Sequence, residues 1–182
     1  LCAGLIAKRM GVPCAGFLAA TNVNDVVPEY LDTGVFSPRS SIATISNAMD
    51  VGDPSNFARI LDLYDGDHEA IRKDIRGSRW TDEDTRAAIR DVHERTGYLL
   101  DPHTAVGIGA AKRCHRFGSV PMVALATAHP AKFPAAIEEA IGAAPPVPPR
   151  LGAVAHLDEH FDVLADDLVA VERYILDRTR VP

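Results

Sequence analysis

The chain has 182 residues, a formal net charge of −6 and 47% apolar residues. This composition predicts one globular domain with its own core and excludes a disordered chain. Since acidic residues outnumber basic residues by 25 to 19, nucleic acid and anionic membranes are not expected as partners. No apolar run is long enough to span a bilayer, and the first twenty residues lack a signal-peptide pattern.

Three cysteines, Cys2, Cys14 and Cys114, lie far apart in the sequence. They form no zinc-binding spacing and no CxxC pair, which predicts reduced thiols and a cytoplasmic location. The sequence begins at Leu1 without an initiator methionine, inside a helical pattern. We interpret it as a piece of a longer protein.

The first elements predict an α/β fold. Apolar residues at helical spacing cover residues 1–10, and Lys8, Arg9 and Gly11 mark the end of that helix. Residues 17–20 form a predicted strand, and a short helix is expected over residues 26–31. A helix that leads directly into a strand is half of a βαβ unit, which favours a parallel sheet.

A polar segment with apolar anchors follows at residues 36–53. It contains Arg39 among Ser37, Ser40 and Ser41, and Asn47 near its end. Such a composition is typical of an ordered loop, often at a site. The alternative, which the sequence alone favours, is a packed surface loop.

A helical insert is predicted at about residues 54–97. Its three expected helices cover residues 54–64, 67–76 and 81–96, with Thr81 as the N-cap of the third. Its histidines, His68 and His93, have no matching ligands nearby, so we predict no metal site.

The second half alternates again between predicted strands and helices. Strands are expected at residues 98–100 and 120–126, and helices at residues 103–116 and 135–142. The helix at 103–116 is rich in glycine and alanine, which predicts close packing against a strand or a flat cofactor. We place the α/β domain at residues 1–142, and a proline-rich linker and a final helix over residues 156–180 at residues 143–182.

Thr127 follows the predicted strand at residues 120–126 and precedes a turn and a helix. Ligands of open α/β sheets lie outside the carboxyl ends of the strands, so its hydroxyl is expected to face a ligand crevice. The alternative is that Thr127 only caps the next helix.

Four segments, in order, resemble threonine synthases of the bacterial and fungal long-chain branch. They are Phe-Leu-Ala-Ala-Thr-Asn-Val-Asn-Asp-Val-Val-Pro at residues 17–28, Ser-Asn-Ala-Met-Asp-Val at 46–51, Asp-Pro-His-Thr-Ala-Val-Gly at 101–107 and Thr-Ala-His-Pro-Ala-Lys-Phe at 127–133. The resemblance extends through residue 142 and weakens beyond it.

The resemblance implies the three-layer α/β fold with a parallel sheet of the pyridoxal 5′-phosphate (PLP)-dependent fold type II enzymes, which is similar to the tryptophan synthase β fold. It implies PLP as the cofactor and the conversion of O-phospho-L-homoserine and water to L-threonine and phosphate. In the family, the lysine that holds PLP and a glycine-rich phosphate loop precede the segment corresponding to Leu1. No catalytic residue is therefore expected in these 182 residues, and the partner is the upstream remainder of the chain.

The resemblance also implies roles for individual residues. Thr127 would face the pyridine nitrogen of PLP, and the N-terminus of the first helix would face the cofactor phosphate. Arg39, and secondarily Asn47, are the candidates for the substrate phosphate. For Arg39 the alternative is an exposed charge on a loop. His103 and His129 are expected to orient loops, without a catalytic role.

Two other functions stay open on the sequence. The first is another PLP-dependent lyase of the same fold, similar to serine or threonine dehydratases. The second is a scaffold or binding module without catalysis, since the family's lysine is absent from these residues.

Overall fold

The structure is a computed structural model that describes residues 1–114 and 120–179. Its contacts divide into two units, residues 1–146 and residues 147–182, whereas the sequence placed the boundary after residue 142. The helices of the first unit are α1 (Cys2–Arg9), α2 (Val26–Thr33), α3 (Phe57–Leu63), α4 (His68–Asp74), α5 (Asp82–Thr96), α6 (Pro102–Cys114) and α7 (Pro134–Ile141). Its strands are β1 (Phe17–Thr21) and β2 (Ile75–Arg79).

The two strands form a parallel pair, in which Phe17 lies opposite Ile75 and Thr21 opposite Arg79. The crossover between them runs through α2, α3 and α4. At the carboxyl end of the pair, the Trp80 N–H donates to the Thr21 carbonyl at 3.0 Å. The predicted strand at residues 17–20 is confirmed, and it opens a parallel sheet as expected.

Helices cover both faces of this sheet and produce three layers. Side chains alternate along a strand, so Phe17 and Ala19 pack into the core beside α1 to α4. Leu18 and Ala20 pack on the opposite side, against Trp80 and α6. A further core joins α5, α6 and α7 behind that layer.

Helix α5 begins with the predicted N-cap. The Thr81 hydroxyl accepts from Asp84 N at 3.1 Å, and the Asp84 carboxylate accepts from Thr81 N at 3.1 Å. This is a capping box, and its hydrogen bonds from Thr81 lower the pKa of Asp84.

Close packing explains one of the small residues of α6, Gly109, but not Gly107. A Cβ at Gly109 would lie 2.6 Å from the Trp80 ring, so only glycine fits there. The flat group against which α6 packs at this position is therefore the Trp80 ring. Residues 115 and 116 of the predicted helix lie outside the described residues.

In the first unit, three predicted elements differ in type from the structure. Residues 75–79, inside the predicted helical insert, form β2 because Ile75 is buried at 2% exposure beside Phe17. Residues 98–100 are irregular. The segment 120–126 is also not a strand: no described residue pairs with it as a strand, and Val123 and Leu125 are 78% and 73% exposed.

The second unit contains α8 (Pro149–Gly152) and α9 (Leu168–Arg178). The predicted helix over residues 156–180 is wrong in its first twelve residues. Helix α9 begins only after Asp167, whose carboxylate accepts from Ala170 N at 2.8 Å. This hydrogen bond makes Asp167 the N-cap and fixes the start of the helix. Residue 180 lies outside the described residues. None of the described helices is long and apolar enough to cross a membrane.

Candidate functional site

Two buried asparagines lie at the carboxyl end of β1. Asn22 is 1% exposed and Asn24 is 6% exposed. The Asn22 Oδ1 accepts from both the backbone N and the Nδ2 of Asn24 at 2.9 Å. In turn, the Asn24 Oδ1 accepts from Ile42 N at 2.7 Å. The strand end is thereby bound to the irregular segment 36–53.

The same asparagines organise that segment. The Asn22 Nδ2 donates to the Asp50 Oδ1 at 2.7 Å and to the Thr44 hydroxyl at 2.8 Å. The other Asp50 oxygen accepts from Thr44 N at 2.9 Å. Since each partner is satisfied within the network, the segment is an ordered loop, as the sequence suggested.

A second polar group surrounds Asp101, which precedes α6 and is 2% exposed. Its Oδ1 accepts from His103 N at 2.9 Å, from His103 Nδ1 at 3.1 Å and from Thr104 N at 3.3 Å. Its Oδ2 accepts from the Thr104 hydroxyl. The carboxylate thus lies at a helix N-terminus, where free amides stabilise negative charge.

His103 connects this group to the loop. Its Nε2 accepts from Ala48 N at 3.1 Å, and its ring packs against Phe133 with centroids 4.9 Å apart. The expected orienting role of His103 is consistent with these contacts. His129 instead accepts from Ala131 N at 3.1 Å and caps a short 3₁₀ turn over Pro130–Lys132.

Thr127 is exposed at the end of the extended segment. Its backbone N donates to the Thr104 hydroxyl at 3.2 Å. Within residues 1–114 and 120–179 its own hydroxyl has no hydrogen-bond partner. This hydroxyl is therefore held in position through the backbone and is available to a ligand.

A cavity of about 170 Å³ lies beside this position. Its walls include Leu100, Asp101, Thr104, Ala126 and Pro130. Cavities for cofactors and drug-sized ligands are larger, roughly 300–1,000 Å³. At about 170 Å³ this cavity is smaller than that, and Thr127 is not among its lining residues.

Arg39 lies in a cluster of four charges. Its guanidinium donates to Asp25 at 2.5 Å and also to Glu29, and Arg79 contacts the other Asp25 oxygen at 3.1 Å. The hydrogen bonds to Glu29 and Asp25 raise the pKa of Arg39 above its usual value. The guanidinium of Arg39, the candidate for the substrate phosphate, is thus already paired with two carboxylates.

Asn47 is exposed in a 3₁₀ turn over Asn47–Met49, next to the amide that His103 holds. The structure therefore joins the positions of Asn47 and Thr127 through one buried group, while Arg39 belongs to a separate charge cluster. Sequence reasoning missed Asn22, Asn24 and Asp101. The available signals were the Asn-Val-Asn run after a strand and the aspartate before a Pro-initiated helix. The described residues contain no cluster that could bind a metal.

Residues 104–175 match the family model described as threonine synthase, C-terminal. Threonine synthase of Pseudomonas aeruginosa is 35% identical over 198 residues, which cover 95% of this chain and 42% of that protein. The PLP-bound crystal structure of threonine synthase from Brucella melitensis matches 98% of this chain and 44% of its own length, with 35% identity and a TM-score of 0.81. The Escherichia coli structure matches with 36% identity and a TM-score of 0.81, over 98% of this chain and 41% of its own length.

These matches define the class as the fold type II, PLP-dependent enzymes. Within that class, the chain is similar over nearly its whole length to threonine synthases, and residues 104–175 match the C-terminal family model. It spans about two fifths of the length of these relatives.

Proposed function

We propose that this chain is the C-terminal part of a threonine synthase, which converts O-phospho-L-homoserine and water to L-threonine and phosphate with PLP. The carrying observation is the match of nearly the whole chain, at 35–36% identity and a TM-score of 0.81, to structures of threonine synthase. Substrate and cofactor sites would be completed by the remainder of the protein. Three free cysteines support a cytoplasmic location.

The described residues fit PLP at one position. The Thr127 hydroxyl is exposed and has no partner in the described part of the chain, while its backbone is fixed by Thr104. A hydroxyl there would hydrogen-bond the pyridine nitrogen of PLP. When bound, PLP supplies the electron sink for deprotonation of the substrate, and the group at the ring nitrogen tunes that capacity. A neutral hydroxyl stabilises a protonated ring nitrogen less than a carboxylate would.

The first turn of α1 is the proposed contact for the cofactor phosphate. This helix has no side-chain cap at its N-terminus, so its first backbone N–H groups are available to an anion. Its position directly before β1 is consistent with a βαβ unit that continues upstream.

For the substrate phosphate we propose Arg39, with Asn47 as the second candidate. The Arg39 guanidinium is engaged by Asp25 and Glu29, so a phosphate would have to displace at least one carboxylate. Asn47 offers an exposed amide on the loop that the buried asparagines order.

The test is an assay of the complete protein, with PLP, on O-phospho-L-homoserine. We expect equimolar release of phosphate and L-threonine. Serine and threonine are the control substrates, since a dehydratase of the same fold would convert them to 2-oxo acids and ammonia. Turnover of the controls without turnover of O-phosphohomoserine would refute the proposed function, as would a complete protein that binds PLP but transforms none of the three.

A further inference from the structure

Asp101 is linked to two backbone amides that flank the proposed site. One link runs through Thr104 to Thr127 N, and the other through His103 to Ala48 N. The links leave from different carboxylate oxygens, since Thr104 binds Oδ2 and His103 binds Oδ1. All three side chains of the group are less than 10% exposed.

The direction of each hydrogen bond on the Thr104 side is fixed by proton counting. A threonine hydroxyl has one hydrogen and two lone pairs. An ionised carboxylate only accepts, so the Thr104 hydrogen points at Asp101 Oδ2. The lone pairs are then free to accept from Thr127 N at 3.2 Å.

The His103 side is fixed in the same way. The Nδ1 lies 3.1 Å from the Asp101 carboxylate and must be the protonated nitrogen. The Nε2 then carries a lone pair and accepts from Ala48 N at 3.1 Å. Asp101 thus selects the tautomer that holds the turn next to Asn47.

We propose that Asp101 is a positioning residue: through Thr104 and His103 it sets the backbone at Thr127 and at Ala48. It thereby aligns the hydroxyl that faces the cofactor ring with the loop that bears the substrate contact. The role of Thr127 toward PLP in this inference rests on the proposed function. The hydrogen-bond directions rest on the described residues alone.

In the complete protein, Asp101→Asn is expected to change the link to Thr104 and to leave the link to His103 in place. Three N–H donors surround Oδ1, so the amide oxygen stays there and the new NH₂ group faces Thr104. The Thr104 hydroxyl must then accept from it with one lone pair, and its hydrogen loses the carboxylate acceptor. The other lone pair still faces Thr127 N, but the hydroxyl is no longer fixed by a charged group. We expect the Thr127 amide to exchange its hydrogen about five to ten times faster, with Ala48 unchanged.

Three further variants complete the design. Thr104→Val removes the acceptor and should reproduce the faster exchange at Thr127, while Thr104→Ser should restore the wild-type rate. His103→Asn keeps an N–H toward Asp101 but does not reach Ala48, so only the Ala48 amide should exchange faster. Thr85→Val is the matched control, because it removes another buried hydroxyl, bonded to the Thr81 carbonyl, and should change neither amide.

Amide exchange is measured in the protein without cofactor, and the absorption spectrum and dissociation constant of added PLP are measured separately. For Asp101→Asn and Thr104→Val we expect PLP to bind about tenfold more weakly, with rescue in Thr104→Ser. The inference is overturned if the Thr127 amide exchanges at the wild-type rate in both Asp101→Asn and Thr104→Val. It is also overturned if the amides of Thr127 and Ala48 are accelerated equally and the control Thr85→Val shows the same acceleration. If the wild type binds no PLP, the proposed function fails, and the exchange rates alone decide the positioning role.

Discussion

The Lys8 Nζ lies 2.7 Å from the Asp74 Oδ1 and joins α1 to α4. The hydrogen bond from Lys8 is the main cause that lowers the pKa of Asp74. A carboxyl group whose folded pKa is depressed stabilises the fold above its unfolded pKa of about 3.9, and this contribution is lost as the pH falls further.

We therefore expect Asp74→Asn to lower the free energy of unfolding at pH 7 by roughly 0.5–1 kcal/mol, because both side chains are partly solvated. The difference from wild type should shrink between pH 5 and pH 2. Urea denaturation of the chain at several pH values measures it. A difference that stays constant with pH would contradict the assignment.

Tyr64 behaves in the opposite sense. Burial, and then its hydrogen bond to Asp74, raise its pKa to about 12. A raised folded pKa contributes stability that is complete below the unfolded pKa of about 10 and is lost as the pH rises toward 12. The wild type should lose stability between pH 9.5 and pH 11 more steeply than Tyr64→Phe. Parallel curves for the two proteins would exclude this contribution.

Two glycines of α6 provide a matched pair. A Cβ at Gly109 meets the Trp80 ring at 2.6 Å, whereas a Cβ at Gly107 meets nothing within 4 Å. Gly109→Ala should cost about 1–3 kcal/mol through overpacking. Gly107→Ala should be neutral or stabilise by up to about 1 kcal/mol through helix propensity. Thermal denaturation distinguishes them, and equal effects would show that the Trp80 contact is not the constraint.

The proposed role of Arg39 at the substrate phosphate is testable against its neighbour Arg79. Both arginines contact Asp25, so each substitution changes the charge of the cluster equally. Arg39→Ala in the complete enzyme should raise the KM for O-phosphohomoserine about tenfold or more, as expected for a lost charge-assisted hydrogen bond, and leave PLP affinity unchanged. Arg79→Ala should change KM less. Equal changes would assign the effect to the net charge of the cluster.

Thr127→Val tests the proposed contact with the cofactor ring. Valine keeps the shape and the backbone N–H to Thr104 but removes the hydroxyl. We expect normal folding, weaker PLP binding by about 1–3 kcal/mol if the nitrogen becomes buried without a partner, and slower turnover. Thr127→Asp should shift the absorption of bound PLP, because a carboxylate favours a protonated ring nitrogen. If Thr127→Val keeps the wild-type affinity for PLP and the wild-type turnover rate, the Thr127 hydroxyl has no role and only its backbone N–H contributes.

Local patterns predicted most of the first unit. Several elements depend only on neighbours in sequence, so they could be recognised from a short window. They are the Thr81 cap, the helix ends near residues 96 and 142, and the strand at residues 17–20. Strand β2 could not, because Ile75 to Arg79 contains three polar residues and is defined by its pairing with β1.

The site was predicted in part, for a related reason. The ordered loop followed from its composition. Thr127 was expected at the end of a strand that the described part of the chain does not contain, so its role toward PLP stays a prediction that depends on the resemblance. The partners of Arg39 did not follow, since Asp25 immediately precedes α2 and Glu29 lies within it. Both come together with Arg39 only when the loop folds back. The Asp101 group joins positions 48, 101 and 127. Contacts between residues so far apart in the chain cannot be predicted from the local pattern of a single sequence.

The extended segment at residues 120–126 has a consequence for handling this chain in isolation. Its alternating side chains, with Val123 and Leu125 open to solvent, have the period of a strand. An uncovered stretch of this kind is a template onto which another chain can add by backbone hydrogen bonding. Produced on its own, the polypeptide should therefore be aggregation-prone, and a lysine at position 125 should keep it in solution at higher concentration.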